Sequence, residues 1–227
     1  MKSQVLVLFF AVFLAAGCIQ QKNFIIGRQD YSSTAIICPG KDAIKRFAAE
    51  ELQKHLLLIT GFTFPIVGEQ GAYSRGFFVG IRSPLDSVPF EAEEARYQVK
   101  PLGVYLYGDD RITREMEDYV QTAVLTSLNR SGTLFAVYNF LENELGIRWF
   151  EPGDEGIYYE KTDRITISWK EISWTSHFTY QRGMRSYTWN YKLFRENEQV
   201  IPEPFRMTEE EVREKKLETD IWLRRMR

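Results

Sequence analysis

The side chains best equipped for chemistry fall in three places. Asp109 and Asp110 stand together after Gly108, and two neighbouring carboxylates can hold a cation or exchange a proton. In a Gly-Asp-Asp turn the ordinary role of such a pair is to solvate the chain reversal. His55 follows Glu51 by one helical turn, which puts imidazole and carboxylate side by side on one face. The chain has two histidines, His55 and His177, so His55 reads as a solvated or half-buried side chain rather than a metal ligand. The third place is aromatic. All five tryptophans lie beyond residue 148, and Arg182, Arg185 and Asn190 are interleaved there with Tyr187 and Trp189. Aromatic faces stack on the C–H face of a sugar ring, while guanidinium and amide groups donate to its hydroxyls. Arg182, Arg185, Tyr187, Trp189 and Asn190 are therefore the candidate carbohydrate contacts. Burial in a core or between domains is the competing use of the same aromatics.

Composition narrows the classes. The 227 residues carry 29 Lys and Arg against 31 Asp and Glu, a net charge of −2, with none of the basic excess of a nucleic-acid binder. Two cysteines cannot build a disulfide framework or a four-thiolate zinc site. There is no phosphate-cradling glycine loop, no nucleophile elbow and no His-Glu-x-x-His pair, so neither a metal nor a cofactor is expected. Glu209, Glu210 and Glu211 read as the charged start of a helix.

The N-terminus reads as a targeting segment over residues 1–18. Lys2 precedes an apolar run of twelve residues, Val5 to Ala16. As a helix it spans about 18 Å, against about 30 Å of bilayer core, which suits a signal peptide better than an anchor. Leu14-Ala15-Ala16-Gly17-Cys18 resembles the bacterial lipoprotein box, with Ala15 where a larger apolar residue is usual. The resemblance implies lipid on Cys18, attachment to a membrane and a place in the cell envelope. A general signal peptide that happens to contain a cysteine is the alternative. Residues 19–33 then read as a tether. Cys38, in an apolar stretch, reads as a buried thiol, with a Cys18–Cys38 disulfide as the minor alternative.

The positioning elements follow from periodicity. Thr34 to Cys38 reads as a buried strand. Asp42 caps a helix to Thr60, with Ile44, Phe47, Ala48, Leu52, Leu56 and Ile59 on one stripe and Gly61 as its stop. Short strands are expected at 64–67 and 76–81, and a hairpin at 96–107 around Pro101-Leu102. Residues 111–128 carry a weak helical period. A clear helix spans Thr133 to Glu144 and ends at Gly146. Strands follow at 147–150, 157–159 and 164–168. The expected fold is an α/β sandwich over residues 34–172, a mixed sheet with helices on one face. Thr208 and Glu211 form a capping box for a last helix whose apolar stripe is Val212, Ile221, Trp222, Leu223 and Met226. Either that helix folds back on the first domain or further chain covers it.

Ala48-Ala49-Glu50-Glu51-Leu52-Gln53-Lys54-His55, followed by Thr60-Gly61 and Pro65-Ile66, resembles the N-terminal domain of the alpha-glucuronidase family. The run from Ser131 to Glu142, continuing through Leu145-Gly146-Ile147-Arg148-Trp149-Phe150-Glu151-Pro152-Gly153, is similar to a related family of large bacterial proteins. Those join this α/β domain to a TIM barrel, and a similar small domain precedes the barrel in beta-hexosaminidase-like glycosidases. The resemblance covers about residues 34 to 170. It implies that residues 173–227 are a linker and the start of a truncated TIM barrel, with Phe178 to Gly183 as the entry to its first strand. It also implies that the catalytic carboxylates lie on the barrel, so no catalytic residue is assigned here. The expectation is a non-catalytic N-terminal domain of a cell-surface glycoside-hydrolase-like lipoprotein acting in polysaccharide degradation, glucuronoxylan among the candidates. The alternative is a surface lipoprotein that binds carbohydrate without turnover.

Overall fold

A computed structural model describes residues 23–84, 86–124, 129–175 and 208–226. The strands are β1 (Asn23–Gly27), β2 (Thr34–Ile37), β3 (Ile66–Val67), β4 (Arg75–Val79), β5 (Ala95–Lys100), β6 (Gly103–Gly108), β7 (Asp110–Arg111), β8 (Arg130–Ser131), β9 (Arg148–Trp149), β10 (Ile157–Tyr158), β11 (Arg164–Ser168) and β12 (Lys170–Trp174). The helices are α1 (Ala43–Thr60), α2 (Tyr119–Val124), α3 (Gly132–Leu145) and α4 (Glu209–Arg225).

A mixed sheet of six strands in the order β12-β5-β6-β4-β2-β3 forms the centre. β3, β2, β4 and β6 run parallel, while β5 pairs antiparallel with both β6 and β12. The period-two alternation of the strands decides which side chains meet the helices. Ile36, Phe77, Val79, Tyr97, Val99, Val104 and Leu106 enter one large core with the apolar faces of α1 and α3. Phe77 sits near its middle, edge-on to Phe24, Phe64 and Phe140. Ala35, Ile37 and Phe78 point the other way and form a small second cluster with Tyr105. The α/β layering expected from the sequence is therefore present, with α1 and α3 against the same core.

Both long helices begin and end where their caps require. Asp42 accepts hydrogen bonds from the Ile44 and Lys45 N–H groups, each at 3.0 Å. Gly61 and Gly146 terminate α1 and α3 with φ near +70°, a conformation that side-chain-bearing residues rarely adopt.

Several expectations need correction. Residues 23–33 are no tether where described: β1 pairs antiparallel with β11, and a 3-10 turn over Arg28–Ser33 links it to β2. Phe24 and Ile26 supply the reason, since both are fully buried in the main core. At the other boundary, β12 extends the sheet to Trp174, past residue 172. Within the described part of 111–128, residues 111–124, the weak helical period yields the short α2, and Asn129 holds the chain before it. Its side chain accepts from the N–H groups of Thr113 and Arg114 and donates to the carbonyls of Arg114 and Thr122.

The last helix folds back. The Thr208–Glu211 capping box forms. Val212 is buried, Ile221 and Trp222 pack on the main core, and Arg224 Nε donates to the Val124 carbonyl at the end of α2. The expected barrel entry at 178–183 lies outside the described residues. Among the described residues no helix is long and apolar enough to cross a membrane.

Candidate functional site

Among the described residues, three polar clusters hold the candidate groups. The first lies where the parallel strands end. Gly108 and Gly132 touch backbone to backbone: a Cβ on Gly132 would stand 2.4 Å from the Asp109 nitrogen and the Glu94 oxygen. That approach carries Asp110 to the start of α3, where it accepts from the Thr133 N–H at 2.9 Å and from the Thr133 hydroxyl at 2.5 Å. Desolvation pushes the Asp110 carboxyl up to about 6, against the pull of those two donors. Asp109 accepts from Arg130 at 2.9 Å and from the Glu93 N–H at 3.0 Å. The pair therefore ties α3 and β8 to the sheet, where the sequence suggested a merely solvated turn. Cys38, close by, has its thiol pushed up to about 11, chiefly by burial, so it stays protonated.

The second cluster lies on the opposite side of the sheet. Arg96, on β5, donates through Nε and Nη2 to Glu94 at 2.6 and 2.8 Å, and through Nη1 to both oxygens of Asp86 at 3.1 Å. Its remaining donors meet the Val88 and Pro89 carbonyls, and the Phe90 ring lies 4.9 Å from its guanidinium. Tyr107 donates to Asp86 at 2.7 Å, and Ser173 donates to Glu94. Burial alone would raise both carboxyls. The hydrogen bonds from Arg96 and Ser173 overcome it and hold Glu94 at about 2, and those from Tyr107, Val88 and Arg96 keep Asp86 below its ordinary value. Neither group retains a proton to give at neutral pH.

The third cluster docks α4. Ala48, Glu51, Leu52, His55 and Ile59 share one face of α1, and that face is the buried one. Arg225 grips Glu51 through Nε at 3.0 Å and Nη2 at 2.9 and 3.1 Å, while Tyr138 donates to the same carboxylate at 3.0 Å. The Trp149 indole can only donate, so its 2.9 Å contact makes His55 Nε2 the acceptor. His55 Nδ1 then carries the proton and donates to the Glu51 carbonyl at 2.7 Å. Trp222 on α4 completes the contact by donating to the Trp149 carbonyl at 3.1 Å. His55 is fully buried, contrary to the solvated or half-buried reading, because the stripe it extends receives both α3 and α4. Burial pushes its pKa down to about 4, against the attraction of Glu51.

Cys18 and the candidate carbohydrate contacts Arg182, Arg185, Tyr187, Trp189 and Asn190 lie outside the described residues. The described tryptophans do structural work. Trp149 anchors His55, Trp174 meets Phe135 edge-on, and Trp169 and Trp222 pack on the core. Phe150 and Tyr158 differ: they are 72% and 50% exposed, with ring centroids 6.4 Å apart. Sequence reasoning missed this pair because alternation in such short strands gives no outward signal. It missed the role of Arg96 because a charged residue in an alternating strand reads as solvent-facing. Among the described residues no cluster of His, Cys, Asp and Glu could hold a metal ion.

No protein-family model and no curated protein matches the chain. Among solved structures, it is similar to the GH20 beta-N-acetylhexosaminidase from Streptomyces coelicolor A3(2), with a TM-score of 0.42 and 14% identity. That match covers 70% of this chain and 24% of the enzyme's.

Proposed function

We propose that this chain is a non-catalytic α/β domain of a carbohydrate-active protein of the cell envelope, tethered through lipid on Cys18. One observation carries the non-catalytic part. Among the described residues, four carboxylates in special environments are engaged by donors of their own fold. Glu94 and Asp86 close on Arg96, Glu51 closes on Arg225, and Asp110 caps α3. A glycosidase needs one carboxyl free to give a proton and a second free to face the sugar. The carbohydrate part rests on the resemblance of residues 34 to 170 to domains that precede glycosidase barrels.

The test is to incubate the full chain with glucuronoxylan and with aryl glycosides and to assay released reducing sugar. None is expected. Release above a no-protein control, reduced by substituting one of these carboxylates, overturns the reading. The lipid is tested by palmitate labelling, which Cys18→Ala should abolish.

A second reading, a self-sufficient carbohydrate-binding lipoprotein, is favoured by one finding. Val212 is buried and Ile221 and Trp222 of the α4 stripe pack on the main core, while Met226 at its end is 56% exposed. Saturable quenching of tryptophan emission by oligosaccharides, without reducing-sugar release, supports it. Emission that no sugar perturbs removes it.

A further inference from the structure

A surface cavity of about 600 Å³ opens where the C-terminal end of α1 meets the chain between β10 and β11. The size is within the range of small-molecule sites, about 300–1,000 Å³. Two contacts join its walls. Gly61 ends the helix at φ +71°, and the Thr162 N–H donates to the Ile59 carbonyl at 3.0 Å, locking the segment to the helix end. Arg28 reaches across to Asp163 at 2.9 Å. Leu57, 40% exposed, and the half-buried Tyr159 contribute apolar surface, and Lys161 stands on the rim.

The lining selects the ligand class. A purely apolar molecule would strip water from Arg28, Lys161 and Asp163 without replacing it. Arg28 and Lys161 outnumber Asp163, so an acidic group on the ligand is accommodated as well. A molecule with hydroxyls that both donate and accept, and with a C–H face to lay on Leu57 and Tyr159, satisfies both halves of the lining. We propose that this cavity binds a short saccharide. The inference rests on the carbohydrate reading above and gives it a location.

The experiment is calorimetric titration of the full chain with xylo-, cello- and chito-oligosaccharides. It is repeated with Tyr159→Ala, Asp163→Asn and, as a control, Phe150→Ala. Lys161→Met, an exposed substitution, replaces Tyr159→Ala if that variant fails to fold by circular dichroism. At least one sugar series should bind the wild type. The cavity variants should weaken it by about tenfold or more, an effect of about 1.4 kcal/mol, and Phe150→Ala should leave it unchanged. Binding that survives the cavity variants, or is lost instead in Phe150→Ala, overturns the cavity while leaving the carbohydrate reading in place. A wild-type chain that binds none of the sugars removes that reading and the cavity with it.

Discussion

The Glu51–Arg225 pair is the sharpest test of how α4 is held. The two side chains are 6% and 3% exposed, so both charges are almost wholly desolvated. Replacing Glu51 by Leu leaves the Arg225 guanidinium without its carboxylate and the Tyr138 hydroxyl without its acceptor. Removing one partner of a buried pair costs about 3–5 kcal/mol, because the other charge stays buried and uncompensated. Arg225→Met should cost a similar amount, since Glu51 then keeps only Tyr138. The double variant Glu51→Leu/Arg225→Met removes both charges and fills the space with apolar atoms. It should return to within about 1 kcal/mol of the wild type, as buried pairs exchanged for packed hydrophobes commonly do. If α4 detaches before the rest unfolds, the apparent loss is capped at the free energy of docking that helix. Urea unfolding at neutral pH should therefore be followed by two signals, far-UV circular dichroism and tryptophan emission. Trp149 and Trp222 touch across the α4 contact, so emission reports docking even where the sheet survives. Single variants within about 0.5 kcal/mol of the wild type, with an additive double, would refute the argument. α4 would then be held by its apolar stripe alone.

Two further outcomes are expected. His55 is held at about 4 when folded, against 6.5 for the free group, so between those values the unfolded chain binds more protons. Its contribution to stability is present above pH 6.5 and is lost as pH falls toward 4. His55 alone removes about 2 kcal/mol between pH 7 and pH 5, while the raised Asp110 carboxyl acts in the opposite direction over the same range. The measure is therefore the difference between wild type and His55→Gln, whose unfolding free energy should fall by about 2 kcal/mol less. Gly132→Ala places a Cβ 2.4 Å from backbone atoms of Asp109 and Glu94, where only backbone movement can make room. It should destabilise by about 1–3 kcal/mol or more, whereas alanine at the exposed neighbour Arg111 should change the melting temperature little.

The two long helices were legible because their determinants are local. Asp42 and Gly61 frame an apolar stripe seventeen residues long from Ala43 to Ile59, and Gly146 ends the next. The β5–β6 hairpin was legible for the same reason, with Pro101 and Leu102 between two alternating runs. β1 was not, since Asn23 finds its partner in Ser168, and a five-residue strand without a nearby mate has no local signature.

The candidate site was read less well, and for one physical reason. Helical period and caps act over a few residues, so composition and spacing decided where α1 and α3 begin, end and turn their apolar faces. The state of a charged or titratable side chain depends on groups brought to it from far along the chain. Asp110 became a helix cap through Thr133, Arg96 became an interior cation through Asp86 and Glu94, and His55 became a neutral core residue through Trp149. The pairing of Glu51 with Arg225 spans 174 residues. Only the tertiary structure could decide those contacts, because a carboxylate in water and a carboxylate locked to a guanidinium are the same letter in the sequence.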